Sequence, residues 1–469
     1  MKHRIAVDML QLFSGTEAWE YRLIPFGEKG DRMVCYGEEG RDYRKILEEL
    51  QVLWGKKVEV EGLRSEELKE MLERYYRRES RISRKFQGEA RTDFLDELIG
   101  EAFACSASDI HFEKYEERCR IRFRIDGKLI ERYVLEGSDY IALVNQIKIK
   151  ANLDISEKRL PQDGRIFYHK NEKKFDLRIS CLPVIHGEKV VLRLLTRQKG
   201  LLDITQLGFD EKQLGDYLSA VRRSHGLVLI TGPTGSGKST TLYATLRLLN
   251  EETTNILTVE DPVEYTLEGI NQVQLKEEIG LNFTGALRTF LRQDPDIIML
   301  GEIRDAETAR MAIRSALTGH LLLSTIHTNS AWGCVARLAD MGIHPYLLAD
   351  TLVACVAQRL IRLLCPHCRK KTGNEKVYQL EEEFAGREGE DYQPVGCPAC
   401  YHTGYRGRKA VYEVIPVDET LGAMIRRGEG DVEKYLKDHR IRTLKDSALT
   451  LWREGWTSRE EILSFLTDK

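Results

Sequence analysis

The chain lacks the marks of a membrane-embedded, exported or nucleic-acid-coating protein. Its 469 residues hold no apolar run of the ~18 residues that a membrane helix needs, so no span is expected. The opening MKHRIAVDMLQLF has an early charge and a short apolar stretch. Asp8 interrupts that stretch and no small-residue cleavage site follows, which predicts no export signal and a cytoplasmic protein. An excess of one charge is also missing. The 71 Lys and Arg residues face 74 Asp and Glu residues, a net charge of −3. That argues against a wholly basic nucleic-acid platform and leaves room only for a local basic patch. There is no internal repeat and no low-complexity tract. With 42% hydrophobic and 31% charged residues, the composition is that of a globular chain. In a reducing compartment the ten cysteines point to metal ligands or buried thiols rather than disulfides. The length suggests about three domains.

Residues 1–62 mix short apolar runs with Gly27, Gly30, Gly37 and Gly40 and read as a small α+β unit. Residues 63–91 read as a helical, charged linker. Within them, 65–82 is predicted helical, because Leu68, Met71, Leu72, Tyr75 and Tyr76 recur along one face. Residues 92–200 read as an α+β domain. FLDELIGEAFACSA is an amphipathic helix, Cys119–Ile125 alternates strictly, and Asp126-Gly127 before KLIERYVL predicts a hairpin. FDLRISCLPV and KVVLRLL repeat the alternation around His186-Gly187. Residues 201–469 change pattern. The short apolar runs Leu227–Ile230, Ile256–Val259, Ile297–Leu300 and Leu321–Ile326 are separated by helical patterns. That predicts an α/β unit with a mainly parallel sheet. The tail from Asp418 is predicted helical.

Gly232-Pro233-Thr234-Gly235-Ser236-Gly237-Lys238-Ser239 fits G-x-x-x-x-G-K-[ST], between an apolar strand (LVLI) and a helical segment opening Ser239-Thr240. Gly235 and Gly237 let the backbone curl so that its N–H groups face inward, and the helix N-terminus adds positive charge for phosphate. Lys238 then reaches the β- and γ-phosphates, and the Ser239 hydroxyl binds Mg²⁺. Hydrolysis needs more than this loop. Two further strands end in carboxylates, at Glu260-Asp261 and at Gly301-Glu302. In an open α/β sheet these ends are where a ligand sits.

Cys365-Pro-His-Cys368 and Cys397-Pro-Ala-Cys400 form two C-x₂-C knuckles. Two such turns complete tetrahedral S₄ coordination, best suited to a closed structural Zn²⁺. An iron–sulfur centre or a redox pair fits less well, and His367 and His402 are alternative ligands. The polar excursion between the knuckles would not pack alone. The other six cysteines read as buried apolar residues.

Four boxes stand in order: GPTGSGKST (Gly232–Thr240), TVEDPVEY (Thr258–Tyr265), DPDIIMLGEIRD (Asp294–Asp305) and TGHLLLSTIHTNS (Thr318–Ser330). With SDIHFE (Ser108–Glu113), RFRIDG (Arg122–Gly127), LPQDGR (Leu160–Arg165) and AQRLIR (Ala357–Arg362), the chain resembles the secretion ATPase superfamily over roughly 92–465. These are the motors of type II secretion and type IV pilus assembly. The resemblance implies a RecA-like P-loop ATPase core preceded by an α+β, PAS-like domain that covers the nucleotide. It implies ATP and Mg²⁺ at Lys238 and Ser239, Glu260 polarising the attacking water, and Glu302 acting at the metal. It implies that His327, with His320, senses the γ-phosphate, and that Arg165, Arg178 and Arg193 lean on the nucleotide. Arginine offers a permanent, forked charge for that task.

The resemblance further implies a homohexamer on the inner face of the cell membrane, working on a membrane platform protein and a docking protein, with no nucleic acid. The tetracysteine element looks like that of the assembly and secretion branch, as a zinc-clipped insertion. Residues before 92 are short for that branch. Lys114 stands where Pro is frequent, and SAWGCVARL where Pro-Gly is usual. Other readings are a DNA-uptake pilus motor, a nucleic-acid-dependent ATPase with a zinc ribbon, and a non-catalytic nucleotide-gated scaffold. Intact Lys238, Ser239, Glu260 and Glu302 speak against the last. Near-neutral charge without aromatic–basic interleaving speaks against the zinc ribbon. Arg288, Arg292 and Arg304 fit either a subunit contact or simple salt bridges, and Arg118, Arg120, Arg122 and Arg124 a solvated or interface face.

Overall fold

The computed structural model describes residues 5, 9, 12–13, 15–30, 32–76, 84–85, 94–170, 173–195, 203–371 and 391–467. Residues 77–83 and 86–91 of the expected linker, and 372–390 of the excursion between the cysteine knuckles, lie outside these residues. Three principal sheets organise the chain.

The first sheet contains β1 (Leu23–Lys29), β2 (Arg32–Glu38) and β3 (Lys57–Leu63), in that order. The helix Ser65–Tyr75 buries Leu68 and Leu72 in its core. The expected helix over 65–82 therefore stops at Tyr75 among the described residues. Its stripe packs on this sheet rather than serving a free linker, because an apolar stripe needs a surface to cover it.

The second sheet holds β4 (Arg84–Lys85), β5 (Asp109–Lys114), β6 (Cys119–Ile125), β7 (Lys128–Leu135), β8 (Gln162–Lys170), β9 (Lys173–Val184) and β10 (Gly187–Leu195), ordered β4-β7-β6-β5-β10-β9-β8. The predicted hairpin is present: Asp126 and Gly127 turn at φ +47° and +85°. Cys119, Ile121, Phe123 and Ile125 face a core covered by the helices Phe94–Ala104 and Gly137–Lys150. The alternate residues face the other way, and there the arginines pair with acids. Arg120 and Arg122 bridge to Glu113, Arg118 to Glu131, and Arg124 to Asp109.

The third sheet is α/β. Its strands are β11 (Gly226–Thr231), β12 (Ile256–Glu260), β13 (Asn271–Gln274), β14 (Ile297–Leu300), β15 (Leu321–Ile326), β16 (Leu352–Leu364) and β19 (Tyr405–Pro416). The order is β13-β12-β14-β15-β11-β16-β19, parallel except for the last pair. β13, β16 and β19 are strands of this sheet that the sequence pattern does not reveal. The first seven residues of β16 are buried without alternation, as in a strand covered on both faces. Between β16 and β19, β17 (Lys370–Lys371) and β18 (Tyr392–Gln393) form a small ribbon beside the cysteines. The tail is helical as expected, in four helices within Glu419–Thr467. They bury Leu421, Ile425, Leu449, Trp452 and Ile462 against the α/β core. Among the described residues no helix is long and apolar enough to cross a membrane.

Among the described residues, polar contacts join the second unit to the third at two places. Arg178 Nη2 donates to the Val263 carbonyl at 3.2 Å. The Gly407 amide donates to Asp126 Oδ2 at 2.8 Å, with the Arg132 guanidinium 5.6 Å from the Tyr401 ring centre.

Candidate active site

Parallel pairing of β12, β14, β15 and β11 brings four strand ends to one edge of the sheet. Those ends carry Glu260, Glu302, His327 and Gly232. Residues spread over almost a hundred positions thus become neighbours, for a topological reason the sequence implies only through its pattern.

The phosphate loop runs from Gly232 to the start of the helix Lys238–Leu249. Gly232, Gly235 and Gly237 have φ of +153°, +80° and +90°. A Cβ on Gly232 would stand 2.4 Å from the Gln358 carbonyl oxygen, and one on Gly237 2.9 Å from Gln358 Nε2, so both positions require glycine. Pro233, Thr234, Gly235 and Ser239 are exposed on the loop, and Thr240 is half-buried. Ser236 is buried, and its hydroxyl has no partner among the described residues. Lys238 Nζ donates to the Gly232 and Pro233 carbonyls at 2.8 and 3.1 Å. Burial lowers its pKa and Arg359 adds to this, while Glu302 opposes both. An orphaned hydroxyl, a crowded ammonium and a helix N-terminus suit a polyphosphate. Ser239, the residue expected to take Mg²⁺, is exposed in the first turn of that helix.

Gln358 is the residue whose part here is not stated by any motif reading. From β16 its Nε2 donates to the Ser236 carbonyl at 2.9 Å, and its Oε1 accepts from Thr241 at 2.9 Å. It lies in the AQRLIR segment, so the signal was present without a role.

Glu260 is buried at the end of β12. Its Oε1 accepts from Thr258 at 2.6 Å and from Gln272 at 3.1 Å, and its Oε2 accepts from Tyr243. Both oxygens are thus oriented by neutral donors, an arrangement that fixes a carboxylate in place. Glu302 accepts from Arg304 at one oxygen and lies 3.4 Å from His327 Nε2 at the other. Burial pushes its carboxyl up, but Arg304 and His327 outweigh that and hold it below the ordinary value. Arg304 also reaches Asp261, and Arg288 pairs with Glu307, so these arginines form salt bridges; Arg292 donates to the Arg288 carbonyl.

His320 is not in this group. It precedes β15, and its carbonyl accepts from Gly226 at the start of β11. Its Nδ1 lies 3.0 Å from the Ser315 carbonyl oxygen. Strand β15 separates it from His327, about 20 Å at the usual rise per residue. The expectation of a phosphate-sensing His320 is corrected: the histidine serves the turn before the strand.

Arg165, Arg178 and Arg193 come together. Arg165 pairs with Arg178 across β8 and β9, and Arg178 with Arg193 across β9 and β10. They line a cavity of about 620 Å³ whose wall includes Pro262, just beyond Glu260. Arg178 Nε is buried without a partner among the described residues, and Arg193 donates to Asp109 Oδ1 at 3.0 Å.

The four knuckle cysteines converge within 4.8 Å of one another. Cys365 and Cys397 are 3.9 Å apart, Cys368 and Cys400 3.8 Å, and Cys397 and Cys400 3.8 Å. A tetrahedron with zinc–sulfur bonds of about 2.3 Å has edges of about 3.8 Å. Burial opposes ionisation of Cys400, but the Cys397 and Gly404 amides bring its thiol down to about 7. The donor set therefore fits Zn²⁺. The other six cysteines are buried free thiols, as expected.

A parallel sheet with this loop and these strand-end carboxylates defines a RecA-like P-loop ATPase. Residues 87–464 match the family described as "Type II/IV secretion system protein". The chain belongs to that family of secretion ATPases. It is 45% identical over 376 residues to the type II secretion system ATPase E of Vibrio cholerae, covering 79% of this chain and 74% of the relative. It is 41% identical over 492 aligned positions to the type IV pilus assembly ATPase PilB of Myxococcus xanthus, covering 97% and 86%. The pilus retraction motor PilT with bound ADP shares its fold at a TM-score of 0.54 and 26% identity, over 80% of this chain and 97% of that one. The Legionella pneumophila ATPase DotB matches at 0.62 and 21%, over 82% and 99%, a likeness of fold alone.

Proposed function

We propose that the chain is the subunit of a hexameric motor that hydrolyses ATP to power type IV pilus assembly or type II secretion. The observation that carries this reading is the arginine row of β8, β9 and β10 facing the segment just beyond Glu260. It joins the second sheet to the nucleotide edge of the third through one cavity.

In this reading the loop amides and Lys238 hold the phosphates. Ser239 would hold Mg²⁺, which would supply charge neutralisation at the phosphates. Glu260, held by Tyr243, Thr258 and Gln272, polarises the attacking water. Glu302 acts on the metal side, and His327 reports the γ-phosphate through its contact with Glu302. Arg165, Arg178 and Arg193 stabilise charge as it develops, which ties phosphate release to rotation of the second unit against the core. Zn²⁺ at Cys365, Cys368, Cys397 and Cys400 would close the ends of β16 and β19 as a structural clip. The ring works at the inner face of the membrane on a platform protein. Residues 1–91 meet a docking protein, and nucleic acid is not required.

The test is Glu302→Gln at the native locus, with surface pili counted beside an assay of secreted enzymes. Loss of pili with normal secretion supports an assembly motor; retained enzymes with intact pili support a secretion motor. Loss of DNA uptake alone would assign the chain to an uptake pilus. On the purified protein, Mg²⁺-dependent turnover unchanged by added DNA, from a particle of six chains, is expected.

A further inference from the structure

The turn after β15 carries His327 and is tied to more than the phosphate loop. On one side the Thr328 amide donates to Thr231 Oγ1 at 2.7 Å, at the end of β11. Arg359 donates to the Asn329 carbonyl at 3.1 Å, and its guanidinium lies beside Gly232. On the other side stands the C-terminal region. The Ala331 amide donates to Glu413 Oε1 at 2.8 Å, and Trp332 Nε1 donates to the Gly430 carbonyl at 3.1 Å. Glu413 Oε2 accepts from the Leu444 amide at 3.2 Å. Leu444 is the first residue of the helix Leu444–Arg453, which Thr443 and Asp446 cap reciprocally.

One carboxylate in β19, only 5% exposed, therefore satisfies backbone donors from two segments distant in sequence. Burying a carboxylate is costly, and an apolar side chain would fill the same volume more cheaply. Each of the two amides would be orphaned without it, since both are turned toward β19. The position at a helix N-terminus adds a favourable dipole interaction. Among the described residues the Glu413 side chain bonds both the His327 turn and the first turn of that helix.

We propose that Glu413 is a positioning residue that couples the His327 turn to the C-terminal helices, so that nucleotide state at the phosphate loop is read out in the tail. This rests on the reading of the His327 turn as responsive to the γ-phosphate. The C-terminal helices then become an output element of the motor rather than a passive cover.

The test is amide hydrogen exchange on the full chain, with ADP and with a non-hydrolysable ATP analogue. In the parent protein the analogue should slow exchange at 327–333 and at 443–447 together. Glu413→Gln turns one acceptor into a donor, so one of the two amides loses its partner. The response at 327–333 should persist and that at 443–447 should vanish, with kcat lowered about tenfold and KM for ATP unchanged. Glu413→Asp keeps the charge but is too short to reach both amides, and serves if the glutamine variant does not fold. A response at 443–447 that survives in either folded variant overturns the coupling, as does a parent that responds at 327–333 alone. A parent silent at 327–333 instead overturns the nucleotide reading, and the coupling with it.

Discussion

Arg165 on β8 stands directly opposite Arg178 on β9. Arg178 in turn stands opposite Arg193 on β10, and Arg193 opposite Asp109 on β5. Like charges directly opposite in a sheet are destabilising, by up to about 1 kcal/mol a pair. Three in a row carry a cost in stability that an anion bound among them would offset. Arg178→Gln should lower ATP turnover by about 10²-fold, the order seen when a donor to a developing charge is removed. The melting temperature should stay level or rise. Steady-state kinetics beside a thermal melt checks this, and a variant that loses both together would place Arg178 in folding instead.

Gln358 supports the phosphate loop from a strand of its own. Gln358→Leu leaves the Ser236 carbonyl without its side-chain donor and takes one partner from Thr241. A buried group left unsatisfied costs about 1–3 kcal/mol. The variant should unfold at lower denaturant and bind ATP more weakly, measured by urea titration and calorimetry. Unchanged affinity would show that the loop holds its shape without β16.

The thiol geometry predicts one zinc per purified chain, read by elemental analysis. Cys400→Ser should lose most of it, because this is the thiol that the Cys397 and Gly404 amides favour as thiolate. Melting temperature should fall with the zinc content, since metal binding is linked to folding of the knuckle. Full zinc in the variant would argue for a different ligand set.

Acid should weaken the second unit through Glu113. Burial opposes ionisation of this carboxyl, but Arg122 and Arg120 hold it at about 2, below its ordinary 4.5. A carboxyl with a depressed folded pKa adds stability that is fully present above its unfolded value and is lost as pH falls through the folded one. The stabilisation should therefore fade between pH 4.5 and about 2. Chemical denaturation over that range, compared with Glu113→Gln, measures it; equal pH slopes for both proteins would refute the assignment.

Much of this protein was legible in the residues, where local chemistry dictates local form. Asp126-Gly127 predicts its hairpin because few other residues accept those backbone angles. The strand, Gly-rich loop and helix around Lys238 announce themselves because a phosphate site needs them contiguous. The two C-x₂-C turns carry their own geometry, and the alternation of Cys119–Ile125 names the buried face. Other features belong to the tertiary structure, because they depend on which strands become neighbours. His320 and His327 sit in one box, yet strand β15 carries them to opposite ends of the sheet. Arg165, Arg178 and Arg193 become a row only through the register of β8, β9 and β10. The part played by Gln358 in holding the phosphate loop, and by Glu413 in holding the His327 turn, follows from β16 and β19. Over Leu352–Gln358 and Ala410–Ile415 those two strands lack alternation because burial on both faces removes it, so their pairing was decided by packing rather than by pattern.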